Sequence, residues 1–204
     1  MNESFITKTE MTTRKKHPSE REIMYKPRSG EEMEKATLNK VPVYTYSELC
    51  EMGEKHGPRA MLAQMFKKSD DNIILLQDPK NMSSGHWISV SRNPRKKEVY
   101  FFSTYGGKPD NEKIAWMNED DLRSSGQYLN IFRDGLRDLQ KHGWVIHYND
   151  YPYQVEGDHT AVCGIYTAAF LRNGKNPDVF QEETERLWKK GINPAVYYYE
   201  KYFS

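Results

Sequence analysis

Cysteine is nearly missing from this 204-residue chain, which has only Cys50 and Cys163. Two cysteines cannot build a disulfide scaffold or a cysteine-rich zinc site, and they fit a reducing compartment. An excess of one charge is missing too: 30 Lys and Arg face 29 Asp and Glu, for a formal net charge of +1. Such a balance argues against a general polyanion binder and leaves room only for a local basic patch. No apolar run approaches the roughly 20 residues of a membrane span. The opening residues MNESFITKTE are polar and do not read as a secretory leader, so a soluble protein is expected. Internal repeats are absent. Aromatic residues are plentiful: 4 Trp, 14 Tyr and 8 Phe can bury a sizeable core despite the polar average.

Residues 1–40 are charged and nearly free of aromatics, having only Phe5 and Tyr25. Pro18, Pro27 and the Ser29-Gly30 pair interrupt helical periodicity. The segment is expected to form a flexible or strap-like arm, with Arg14-Lys15-Lys16 as a solvated charge run. A single domain is expected over 41–204. Ser47 can cap a helix that carries Leu49 and Met52, and Pro58 opens a second one. Residues 72–77 form an apolar run of strand length. Residues 87–91 and 98–103 alternate around a turn at 92–97 and predict a hairpin. Leu122, Leu129, Phe132, Leu136 and Leu139 mark one or two amphipathic helices within 119–141, and residues 144–148 another strand. The run from Cys163 to Leu171 predicts a buried helix closed by Asn173-Gly174, followed by a helical, tyrosine-rich tail.

Cys163 opens that buried helix. A thiol there meets unpaired N–H groups and the positive end of the helix dipole, which is expected to lower its pKa. Gly164 is expected to leave room for a substrate carbonyl, and the Cys163 N–H to face an oxyanion. The alternative is a buried structural cysteine. A reactive thiol needs a base. His17 lies in the arm, His56 beside a turn, and His142 and His147 flank a strand. His159 is four residues before Cys163. His86, in Ser84-Gly85-His86-Trp87, sits at the start of a strand that would fix its backbone.

In this order, Gly85-His86-Trp87-Ile88, then Tyr100-Phe101-Phe102 running to Tyr105-Gly106, then Gln154, then Cys163-Gly164 resemble the adenain-like cysteine proteases. These are adenovirus-type maturation endopeptidases related to the SUMO proteases. Viral members that process capsid and core proteins, including those of virophages and large DNA viruses, look most similar. The likeness spans roughly residues 72–172. It implies an α+β, papain-like architecture in which a central, mostly antiparallel sheet packs on the helix that starts at Cys163. It implies Cys163 as nucleophile, His86 as general base, Gln154 as oxyanion-hole donor, and Trp87 beside the site. It implies no metal or organic cofactor.

Two positions depart from the pattern. Where the family usually has Asp, Glu or Asn to hold the imidazole, this chain has Ser103, a hydroxyl without charge. Asp110 or Asn111 could substitute, or the site could be close to a Cys-His dyad. Gln154 also lies nine residues before Cys163, slightly farther than usual. Glu156 is nearer the usual interval, but a carboxylate would repel an oxyanion. The expected activity is cleavage of virion precursor proteins next to small residues such as Gly, in the host-cell cytoplasm or at the virus assembly site, by an enzyme packaged in the virion. The alternatives are deconjugation of a ubiquitin-like modifier and a non-catalytic binding module. A monomer with a polypeptide substrate and no membrane association is expected. Arg92, Arg95, Lys96 and Lys97 at the hairpin tip could receive a DNA or acidic-peptide activator.

Overall fold

The computed structural model describes residues 17–155 and 160–204, except for the side chains of residues 115 and 116. The Arg14–Lys16 run, Glu156 and His159 lie outside the described residues. Five strands form one sheet in sequence order: β1 Val43–Thr45, β2 Asp71–Asp78, β3 Asn81–Asn93, β4 Glu98–Ser103 and β5 Val145–Tyr148. The long central strands β2, β3 and β4 pair antiparallel, while the short outer strands β1 and β5 join in parallel. The architecture is α+β.

Alternation along the strands sends two apolar sets to two helical layers. Ile74, Leu76, Ile88, Val90 and Phe101 share one core with α3 (Tyr46–His56), α4 (Pro58–Lys68), α6 (Glu119–Ser124) and α7 (Ile131–Lys141). Ile73, Leu75, Trp87 and Phe102 face the other layer, built on α8 (Cys163–Arg172). Nine of the ten α8 residues are buried, as suits a helix that is apolar on all sides. The Thr167 hydroxyl donates to Trp87 O at 3.1 Å and ties α8 to β3. The tail forms α9 (Pro177–Lys189) and α10 (Pro194–Tyr202), with Phe180 and Tyr198 fully buried and stacked at 5.4 Å.

Two local expectations are corrected. Thr45, not Ser47, caps α3: its hydroxyl accepts from Glu48 N while Glu48 returns a bond to the Thr45 N–H. Ser47 instead donates its hydroxyl to Gln77. The polar segment before Val41 also contains two short helices, α1 (Glu20–Tyr25) and α2 (Gly30–Ala36). Each begins with a capping box, Ser19 with Glu22 and Ser29 with Glu32. Pro27 falls between the helices, so it breaks neither. Few apolar residues suffice because three of them, Ile23, Met33 and Ala36, are almost completely buried. The remaining helix, α5, spans Asn111–Trp116.

Candidate active site

Gly85 sets the position of its neighbour His86. It has φ +152°, and a Cβ there would sit 2.0 Å from Leu76 O, a contact no side chain tolerates. β4 ends opposite Ile88, two residues along β3 from His86, so the imidazole lies beyond the β4 pairing. There the loop after β4 supplies Tyr105, whose ring stacks on the imidazole at 4.3 Å. Strict alternation assigns Trp87 to the α8 side and His86 to the opposite side. At this end of the sheet both nevertheless border one cleft of about 300 Å³, together with Gln154 and Cys163.

His86 is only 3% exposed. Its Nε2 lies 3.0 Å from Ser103 Oγ, and its Nδ1 has no partner among the described residues. The tautomer that donates from Nε2 to Ser103 leaves the Nδ1 lone pair free to take a proton. Burial lowers the imidazole pKa to about 3, so the resting ring is neutral. Ser103 is itself clamped by Asn149. The Ser103 N–H donates to Asn149 Oδ1 at 3.1 Å, and Asn149 Nδ2 donates to Ser103 O at 2.7 Å.

Cys163 is the first residue of α8, as its sequence context implies. Backbone N–H groups of Trp87, Gly164 and Cys163 itself favour its anionic form. The Trp87 N–H follows His86 directly, so the thiol lies against the strand segment that carries the imidazole. Burial nevertheless outweighs these donors and pushes the thiol pKa up, against the expectation that the helix terminus would lower it. The resting pair is therefore a neutral thiol and a neutral imidazole. Burial pushes the other thiol, Cys50, to about 11.

Gln154 is buried, with both ends of its amide held. Thr104 Oγ1 donates to Gln154 Oε1 at 3.1 Å, and Gln154 Nε2 donates to Thr160 O at 2.6 Å. An amide nitrogen has two hydrogens, so one remains for a ligand. Gly164 does not serve the cleft as expected. A Cβ on it would meet Met33 Sδ at 2.9 Å and Arg28 Cβ at 3.0 Å, so its missing side chain accommodates α2 and the turn before it. Sequence reasoning overlooked that turn. Tyr25, Pro27 and Arg28 form one wall of the cleft, and Trp87 Nε1 donates to Arg28 O at 3.0 Å. Asp78 at the end of β2 also borders the opening.

Neither stand-in for a missing acid borders the cleft. Asp110 Oδ1 accepts from the Tyr46 hydroxyl at 2.5 Å and Oδ2 from Arg133 N at 2.8 Å, in the opposite layer. Asn111 is an exposed residue at the start of α5. Nearby, Glu112 is 4% exposed and neither carboxylate oxygen has a partner among the described residues. Burial, then the negative charge of Asp110, raises its pKa to about 8. A carboxyl whose folded pKa is raised stabilises the fold fully below its unfolded value, and that contribution is lost as pH rises through 8. Glu112→Gln is therefore expected to be more stable than the wild type at pH 8.5, by on the order of a few kcal/mol. The advantage should shrink toward pH 5. Melting curves at both pH values test this, and parallel curves would refute it. His86 costs stability as pH falls from 6.5 toward 3, but wild type and variant share it, so its contribution cancels in their difference at both pH values.

No family model matches the chain, and no curated protein matches it. Similar solved structures include the SUMO protease Ulp1 with its catalytic cysteine oxidised to a sulfinic acid, at TM-score 0.36 and 18% identity. They also include the C-terminal Ulp1 protease domain in complex with Smt3, the yeast ortholog of SUMO, at TM-score 0.36 and 17% identity. Each match covers 70% of this chain and 62% of the other, so this chain spans less than two thirds of their length.

Proposed function

We propose that the chain is a cysteine peptidase that hydrolyses polypeptides through a thioester on Cys163. The observation that supports this best is the His86 ring. It is held through Nε2 by Ser103, its Nδ1 has no partner among the described residues, and the residue borders the cleft that Cys163 also borders. In this reading the Cys163 proton moves to His86 Nδ1 as sulfur attacks the scissile carbonyl. The Cys163 N–H and the free Gln154 amide hydrogen receive the oxyanion. The imidazolium then protonates the leaving amine. Water attacks the thioester with His86 as base, releasing the acid product and the thiol.

A narrow cleft favours a residue without Cβ next to the cut. A virion precursor cut at Gly and the tail of a ubiquitin-like modifier both meet that description, so one experiment compares them. Wild type and Cys163→Ala are each incubated with candidate capsid precursors and with a ubiquitin-like protein bearing a C-terminal electrophile. Cleavage of the precursors by wild type alone supports maturation at the assembly site or in the virion. Labelling of Cys163 by the modifier probe, with precursors intact, supports deconjugation. Equal cleavage by Cys163→Ala refutes the thioester on Cys163, and no reaction with either substrate refutes the peptidase reading and favours a binding module.

The hairpin tip is a separate part of the proposal. Arg92 is already engaged, donating to Asp70 Oδ1 at 2.6 Å and to Phe66 O at 2.9 Å. A DNA or acidic-peptide activator would therefore act through the exposed Arg95, Lys96 and Lys97.

A further inference from the structure

Arg28 is a buried cation that the mechanism above does not use. Its side chain is 2% exposed, and Nε has no partner among the described residues. Nη2 donates to Ile23 O at 2.8 Å and to Glu22 O at 3.4 Å, both carbonyls of α1. The guanidinium carbon lies 4.7 Å from the centre of the Tyr199 ring, and Nη1 lies 3.7 Å from Glu32 Oε1. That carboxylate is a third exposed and hence partly screened by water. The aliphatic stem rests on the first turn of α8, because the absent Cβ of Gly164 would be 3.0 Å from both Arg28 Cβ and Cγ. Arg28 and Cys163 border the same cleft.

This placement answers the departure at Ser103. Transfer of the proton breaks the S–H bond, forms an N–H bond at His86 Nδ1, and leaves a negative sulfur and a positive ring in one cleft. Ser103 offers the ring no charge. A cation on the sulfur side can stabilise the same charge-separated state from the other end. It helps only if it is nearer the sulfur than the ring, since it also repels the imidazolium. Its stem packs against Gly164, the residue after Cys163, which anchors Arg28 beside the N-terminal turn of α8 that carries the sulfur. Arg28 is moreover among the groups that favour ionised Cys163, whereas burial alone accounts for the His86 shift.

We propose that Arg28 is a positioning residue whose buried guanidinium stabilises the Cys163 thiolate in place of an acid beside His86. The inference rests on Cys163 being the nucleophile, but its test needs no substrate. Among the described residues, the ionisable groups that border the cleft with Cys163 are His86 on β3, Arg28 and Tyr25 from the N-terminal segment, Asp78 on β2 and Tyr105 after β4, with Glu32 behind Arg28.

The experiment measures the rate of iodoacetamide alkylation at Cys163 against pH, on the intact full chain by mass spectrometry. Arg28→Met is expected to move the midpoint up by about one pH unit, an about tenfold slower reaction at pH 7. Arg28→Lys, which keeps the charge, is expected to restore most of the rate. Glu32→Gln is expected to move the midpoint slightly down, because it removes the carboxylate that offsets Arg28 and its amide can still bond to the Ser29 N–H. Equal displacement of the Met and Lys variants would reduce Arg28 to packing and overturn the proposal. So would an unchanged Met variant, or an upward shift in Glu32→Gln. If Arg28→Met fails to fold, the signs of the Lys and Glu32→Gln shifts decide. If the curves move as expected while the wild type cleaves no peptide, the peptidase reading fails and the electrostatic role of Arg28 stands.

Discussion

His86→Ala is expected to lower kcat/KM for peptide cleavage about 10³-fold, within the range found for removal of a general base. The reason is the state of the pair at rest. Burial keeps the thiol protonated and holds the imidazole pKa near 3. Little thiolate exists at pH 7 without a base to receive the proton as sulfur attacks. The same state fixes the pH profile. His86 must be neutral to accept the proton, so wild-type activity is lost only as pH falls toward 3. The alkaline side depends on a thiol whose pKa is raised. The wild-type profile should therefore be flat from about pH 5 to pH 8, by the logic of bell-shaped profiles. The alanine variant has no proton acceptor, and its residual rate should climb with the thiolate fraction, about tenfold per pH unit. Rates for both proteins between pH 5 and pH 9 test this. A variant within a few fold of wild type, or one with an equally flat profile, would remove His86 from the chemistry.

The parts of this site that can be read in the sequence are those written locally. The 72–77 run, the alternation at 87–91 and 98–103, and the small-residue entry to an apolar helix at Cys163 each announce their element within a few residues, and β2, β3, β4 and α8 follow. The pairing of His86 with Ser103 follows from hairpin register once both strands are placed. The N-terminal helices are harder to see, because each spans fewer than eight residues and is defined by a capping box rather than by a stripe. Arg28 and Asn149 are not legible at all. Their contacts reach across 59 residues to Trp87 and 46 residues to Ser103, and nothing in their own neighbourhood signals them. The sign of the Cys163 shift is hidden for a related reason. The helix terminus is local and visible, whereas the burial that outweighs it comes from the whole fold.

Gln154→Ala is expected to lower kcat about 10²-fold with little change in KM, the effect of deleting one oxyanion-hole donor. An oxyanion exists only after sulfur has attacked, so the donor contributes more to the transition state than to substrate binding. The amide is oriented before substrate arrives. Its oxygen is fixed by Thr104 Oγ1, and its backbone N–H donates to Thr104 O at 3.1 Å. Thr104 directly follows Ser103, so a single turn after β4 sets both the imidazole's partner and the oxyanion donor. That coupling supplies a second arm to the experiment. Thr104→Val removes the hydroxyl while keeping the shape, and it leaves Gln154 Oε1 without its donor. The amide is then held only through Nε2 by Thr160 O and is less firmly oriented, so kcat should fall by about tenfold, less than in Gln154→Ala, at the cost of one buried hydrogen bond. Gln154→Glu should be at least as slow as Gln154→Ala, because a carboxylate opposes the developing negative oxygen. Steady-state kcat and KM for the three variants on one peptide distinguish these outcomes. Equal kcat in Gln154→Ala and wild type would make Gln154 a loop residue held by Thr104 and nothing more. A KM effect alone would move it from the oxyanion to the substrate backbone.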